Sequence, residues 1–139
     1  MEDREFVFEA ARDGLAEVEL GKLGQKNASN ERLKEFAKRL AEEHQKANKE
    51  LIQLAKKKKL SIPTEIDPER QDMLDRLRGL SSEDFQREYM KAVMKDHQRS
   101  ISIFRQEAKE GGDEDFRGFA EKTLPMLQEH FKMAKSITR

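Results

Sequence analysis

The sequence predicts an all-α protein, a four-helix bundle, and three observations carry that prediction. Ala, Glu, Lys, Leu, Arg and Gln dominate, β-branched residues are few, and no segment alternates apolar and polar residues as a half-buried strand would. Apolar residues recur instead at spacings of three and four over long stretches. Only three prolines and seven glycines interrupt the 139 residues, a length that suits a single domain over residues 1–139.

The first helix is predicted over about residues 4–26, with Phe6, Val7, Ala10, Gly14, Glu17, Val18 and Gly21 facing inward. Gly14 and Gly21 cost helix propensity, so two glycines on one face point to close approach of a neighbouring element. After a turn at residues 27–30, capped by Ser29 or Asn30, a second helix covers about 31–59. Its stripe is Leu33, Phe36, Ala37, Leu40, His44, Ala47, Leu51, Leu54 and Ala55, so His44 takes an apolar slot. The run Lys56 to Lys59 complements the dipole at that helix end.

Pro63 and Pro68 interrupt the connection over residues 60–81. Asp67-Pro68 opens a short helix of about 68–78, which Gly79 ends. A third long helix is predicted over about 82–110, with Ser81 and Asp84 as a capping box. Its stripe is Phe85, Tyr89, Ala92, Val93, His97, Ser100, Ile101, Phe104 and Ala108. Gly111-Gly112 stops it. The fourth long helix covers about 113–136, with Phe116, Phe119, Ala120, Thr123, Leu127, His130, Phe131, Ala134 and Ile137 inward, and Pro125 is expected to bend it.

Composition excludes whole classes of function. Lys+Arg and Asp+Glu number 28 each, and this balance argues against a nucleic-acid partner. No apolar run approaches the roughly 18 residues of a membrane span, so no membrane insertion is expected. The absence of cysteine removes disulfides, thiolate metal sites, iron–sulfur clusters and thiol nucleophiles. A homodimer is left open.

The three histidines fall on three inward stripes, and the first helix adds one acid, Glu17. Counted from the turns, His44 and Glu17 differ in height by roughly 5–6 Å, as do His97 and His130, at 1.5 Å of rise per residue. All four positions lie near mid-helix and should meet at mid-bundle. Burying three imidazoles and a carboxylate without compensation is expensive, and a metal ion resolves it. Imidazole nitrogen and carboxylate oxygen suit zinc, copper or iron, with Glu17, His44, His97 and His130 as ligands. An acid precedes each histidine: Glu43, Asp96 and Glu129. These acids are candidates to orient imidazoles on neighbouring helices, and Asn48 and Tyr89 share the inward faces. Met90, Met94, Met126 and Met133 lie nearby and read as core filler.

The pattern resembles the bacterial family called domain of unknown function 4142. The residues that carry the resemblance are Phe6 with Ala10-Ala11, Gly14, Glu17-Val18, Leu20-Gly21, Phe36-Ala37, Glu43-His44 and Ala47-Asn48, then Phe85 with Tyr89, Asp96-His97, Leu124-Pro125 and His130 with Ala134. It covers nearly the whole chain. The resemblance implies a ferritin-like bundle with a long connection between the second and third long helices. It also implies an extracytoplasmic setting, periplasmic or secreted. Met1-Glu2-Asp3-Arg4 shows no apolar signal region, so no signal peptide is expected in this chain. Di-iron ferritin-like sites place Glu three residues before His, where this chain has Ala41, Met94 and Leu127. Ferroxidase or oxygenase chemistry is therefore not inherited from the fold.

The expected function is a small metal-binding bundle with a histidine-rich site for one transition-metal ion. No substrate cleft is visible in the sequence, which leans away from an enzyme. Two alternatives stand beside it: a metal-free structural or stress-related protein with a polar histidine core, and a haem-binding bundle with two axial histidines.

Overall fold

Five helices account for most of the chain in the computed structural model, which describes residues 2–138. They are α1 (Asp3–Asn27), α2 (Glu31–Lys57), α3 (Pro68–Arg78), α4 (Ser82–Glu110) and α5 (Glu114–Thr138). Among the described residues there is no strand, and no helix is long and apolar enough to cross a membrane.

Local chemistry sets the helix ends. Asn30 caps α2, its side chain accepting from the backbone N–H of Arg32 at 2.8 Å and of Leu33 at 3.2 Å. Asp67 caps α3 by accepting from Arg70 N, with Pro68 in the first turn. Asp113 accepts from the backbone N–H of Asp115 and Phe116 and so opens α5. The second helix stops at Lys57, two residues short of the expected end, because Lys59 turns left-handed at φ 57° and Leu60 N reaches back to Ala55 O. The expected capping box at Ser81 does not form: Ser82 adopts φ 52°, which takes the chain out of regular entry geometry, and the Ser81 side chain makes no cap bond. The helix α5 continues through Pro125.

Contacts at the ends fix the helix directions. The Asp3 carboxylate accepts from the backbone N–H of Gly112 and Asp113, joining the start of α1 to the α4–α5 turn. Lys58, just beyond α2, pairs with Asp113 at 3.2 Å and Asp115 at 2.9 Å. At the opposite end Arg32 donates to Ser136 Oγ. Thus α1 and α5 run one way and α2 and α4 the other. The connection carrying α3 must travel the length of the bundle, and α3 packs on α1 and α4 on the way.

Two apolar clusters fill the interior. One, at the Arg32 end, contains Leu20, Leu33, Phe36, Leu40, Phe85 and Val93, with Leu74 and Leu77 of α3. The other, at the Asp3 end, contains Phe6, Val7, Leu51, Phe104, Phe116 and Phe119. Met90, Met94 and Met133 join the first and Met126 the second. Between the clusters the sequence of every long helix supplies a polar residue to a common layer: Glu17, His44, His97 and His130. Close approach of α1 and α2 brings this layer together. A methyl group on Gly21 would lie 2.6 Å from Ala41 N and 2.7 Å from Ala37 O, so only glycine lets these backbones meet.

Candidate metal centre

Helical periodicity places His44, His97 and His130 on facing stripes, and the structure brings one ring nitrogen of each within 4.8 Å of the others. All three are at most 4% exposed. The rings pack at centroid separations of 5.3–5.8 Å.

Their partners assign the tautomers of two of them. His97 Nδ1–H donates to Val93 O at 2.9 Å, which leaves Nε2 with a lone pair. His130 Nε2–H donates across to α2, to Glu43 Oε1 at 2.6 Å, which leaves Nδ1 bare. Those two bare nitrogens, His97 Nε2 and His130 Nδ1, face each other at 3.3 Å. Two lone pairs at that distance repel unless a proton or a cation stands between them. Tetrahedral coordination with metal–nitrogen bonds of about 2.0–2.1 Å puts ligand nitrogens about 3.3–3.4 Å apart, the spacing seen here.

Electrostatics keep the rings neutral. Burial, then the neighbouring imidazoles, hold His44 well below its ordinary value and bring His97 down to about 4. Burial also lowers His130, although Glu43 pulls the other way. Burial opposes ionisation of Glu43, yet its hydrogen bonds with His130 and Arg39 keep it below the ordinary carboxylate range. Neutral imidazole beside an ionised outer carboxylate is the state a metal ligand requires.

Glu17 stands at the edge of this group. Its Oε2 lies 3.7 Å from His44 Nε2 and 3.6 Å from His97 Nδ1, and the residue is fully buried. It groups with Asp96 and His97 rather than with all three imidazoles. Neither Glu17 oxygen has a donor, and His44 Nε2 also lacks a hydrogen-bond partner. For the His44 nitrogen this costs about 1–3 kcal/mol while it stays unsatisfied.

The other expected neighbours separate. Glu43 orients His130 from the adjacent helix. Asp96 instead faces Glu17 and Asp13. Burial and the Asp96 charge push both of those acids well above the ordinary range, so they act as neutral donors. Burial alone would raise Asp96, but its hydrogen bonds with Glu17 and Asp13 keep it low. Asn48 fills the space opened by Gly14 and borders a cavity of about 20 Å³ beside His44. Tyr89 spends its hydroxyl on Leu20 O at 2.7 Å, as a core tyrosine does. Glu129 is exposed on the surface of α5, because residue 129 sits off the buried stripe.

Sequence reasoning missed Asp13 and Arg70 as members of the polar layer, which Ser100 of the expected α4 stripe also joins. Asp13 is 7% exposed, accepts a short hydrogen bond from Ser100 Oγ, and lies 3.5 Å from Arg70 Nη2 on α3. The signal was present, since Asp13 precedes Glu17 by four residues and so shares its face, whereas Val18 of the expected stripe is only half-buried.

The model of a family described as Domain of unknown function (DUF4142) matches residues 1–137. No curated protein and no solved structure matches the chain.

Proposed function

We propose that this chain, which belongs to the DUF4142 family, binds one transition-metal ion at mid-bundle through His44, His97 and His130. The observation that carries the reading is the pair of bare nitrogens, His97 Nε2 and His130 Nδ1, held face to face at 3.3 Å by outward hydrogen bonds to Val93 O and Glu43. His44 closes the third corner, and Glu17 stands beside it, with Oε2 3.7 Å from His44 Nε2. When bound, such an ion supplies Lewis acidity or, for iron or copper, electron transfer. The chain's own groups fix ring orientation, keep the imidazoles neutral and exclude bulk water.

Zinc, copper and iron all suit three imidazoles and a carboxylate. The cavity beside His44 holds about one water, which favours ion holding over turnover of an organic substrate. The up-down-down-up helix order with a full-length connection supports a ferritin-like bundle, and the family resemblance supports an extracytoplasmic setting. A porphyrin between two axial histidines fits less well, because the third imidazole lies against the other two. The metal-free alternative must leave His44 Nε2 without a hydrogen-bond partner.

Cobalt(II) titration of untagged, chelator-treated protein tests the reading. The expected result is one equivalent bound with the intense visible bands of a low-coordinate site, lost in a His97→Ala/His130→Ala variant that keeps its helical circular dichroism. No saturable bands in folded wild-type protein, with cobalt, zinc, copper and iron each failing to bind, would overturn it.

A further inference from the structure

Two small cavities share a wall of Ala10, Asp13 and Phe104, of which only Asp13 is polar. The inner one, beside His44, is lined by Ala10, Asp13, Asn48 and Phe104 among others. The outer one, of about 10 Å³, lies beneath Arg70 and the exposed Arg99 and is also lined by Ala10, Asp13 and Phe104. Asp13 therefore stands between the surface at α3 and the interior of the histidine layer. Its Oδ1 accepts no hydrogen bond, and one turn further along α1 the fully buried Glu17 holds its Oε2 3.7 Å from His44 Nε2 and 3.6 Å from His97 Nδ1.

Arg70 covers the outer end. Its Nη1 is tied to Asp67, the cap of its own helix, at 3.1 Å. Its Nη2 sits 3.5 Å from Asp13 and 3.8 Å from Glu9 and makes no hydrogen bond. The guanidinium is anchored at one end and merely close at the other, so it can swing away without breaking its anchor. A guanidinium there repels an incoming cation, while behind it Asp96 keeps a negative charge, shared by hydrogen bonds with the protonated Asp13 and Glu17, that attracts one.

We propose that Asp13 and Glu17 form the path by which a divalent cation reaches the three imidazoles, and that Arg70 on α3 gates its outer mouth. This rests on the trihistidine reading above. The crossover helix then has a role beyond joining α2 to α4: it sets how fast the ion enters and leaves. The arrangement explains why a positive side chain is buried to 8% exposure over an acidic interior.

Stopped-flow loading of chelator-treated protein with cobalt(II), followed by unloading into excess chelator, tests the gate. Arg70→Gln is expected to speed both loading and unloading by tenfold or more. Asp13→Asn is expected to slow loading several-fold. General loosening of the fold would speed exchange in both variants, so the opposite signs are diagnostic, and circular dichroism checks that each variant folds. Rates within twofold of wild type in both variants, or acceleration in both, would overturn the path while the trihistidine site stands. Failure of the wild-type protein to bind cobalt or zinc at all would overturn the site and the path together.

Discussion

Glu43 on α2 accepts a hydrogen bond from His130 on α5 at 2.6 Å, and that contact decides which face of the imidazole is left for a metal. It fixes the proton on Nε2 and leaves Nδ1 to point at His97. Glu43→Gln keeps the shape but removes the charge and weakens the acceptor. The expected outcome is a loss of metal affinity of about 10-fold to 100-fold with unchanged helical content. Competition titration against a chromophoric chelator measures it. Unchanged affinity would mean that His130 is oriented by packing alone.

Gly21 marks the closest approach of α1 to α2. A methyl group there meets Ala41 N and Ala37 O, both backbone atoms that cannot rotate away. Gly21→Ala is expected to cost about 1–3 kcal/mol through forced separation of the two helices. Urea unfolding of the variant beside wild type gives the number. A gain in stability, as helix propensity alone would predict, would contradict the close approach.

Tyr89→Phe separates a core role from a site role. The hydroxyl donates to Leu20 O in a fully buried setting, and its loss is expected to cost about 1 kcal/mol. Metal content should not change. Melting temperature and elemental analysis of the same sample check both halves.

Glu107 gives the bundle a pH dependence far from the histidines. Burial, then its bond to the Asp3 carboxylate, pushes Glu107 up to about 8 from an ordinary 4.5. The native state therefore keeps a proton that the unfolded chain releases. Stability contributed by this group is full below about 4.5 and is lost as pH rises toward about 8. Glu107→Gln should raise the melting temperature at pH 9 and leave it little changed at pH 4. A variant equally destabilised at both would show that the carboxyl proton is not the stabilising feature.

Much of this architecture was legible in the sequence because periodicity carries it. The stripes of α2, α4 and α5 put His44, His97 and His130 inside, and counting from the turns put them at one height. The glycines at 14 and 21 announced a close neighbour, now seen as Asn48 and as the Ala37–Ala41 backbone. What stayed hidden depends on lateral neighbours. Glu43, Asp96 and Glu129 each precede a histidine, yet only helix rotation decides that Glu43 reaches a ring, Asp96 meets buried acids and Glu129 stays exposed. Arg70 was invisible because a charged residue on a short helix is ordinarily solvated, and only the path of the connection over α1 brings it to Asp13. The failed capping box at Ser81 depends on one backbone angle at Ser82, which no residue pattern fixes.

The most direct measurement is elemental analysis of untagged protein after loading with zinc, copper or iron and exhaustive dialysis, beside the His44→Ala/His97→Ala/His130→Ala variant carried through the same steps. The account predicts close to one ion per chain in the wild type and none in the variant. Equal metal in both, or none in the folded wild type with any of the three ions, would contradict it and leave the histidines as a polar layer held by hydrogen bonds alone.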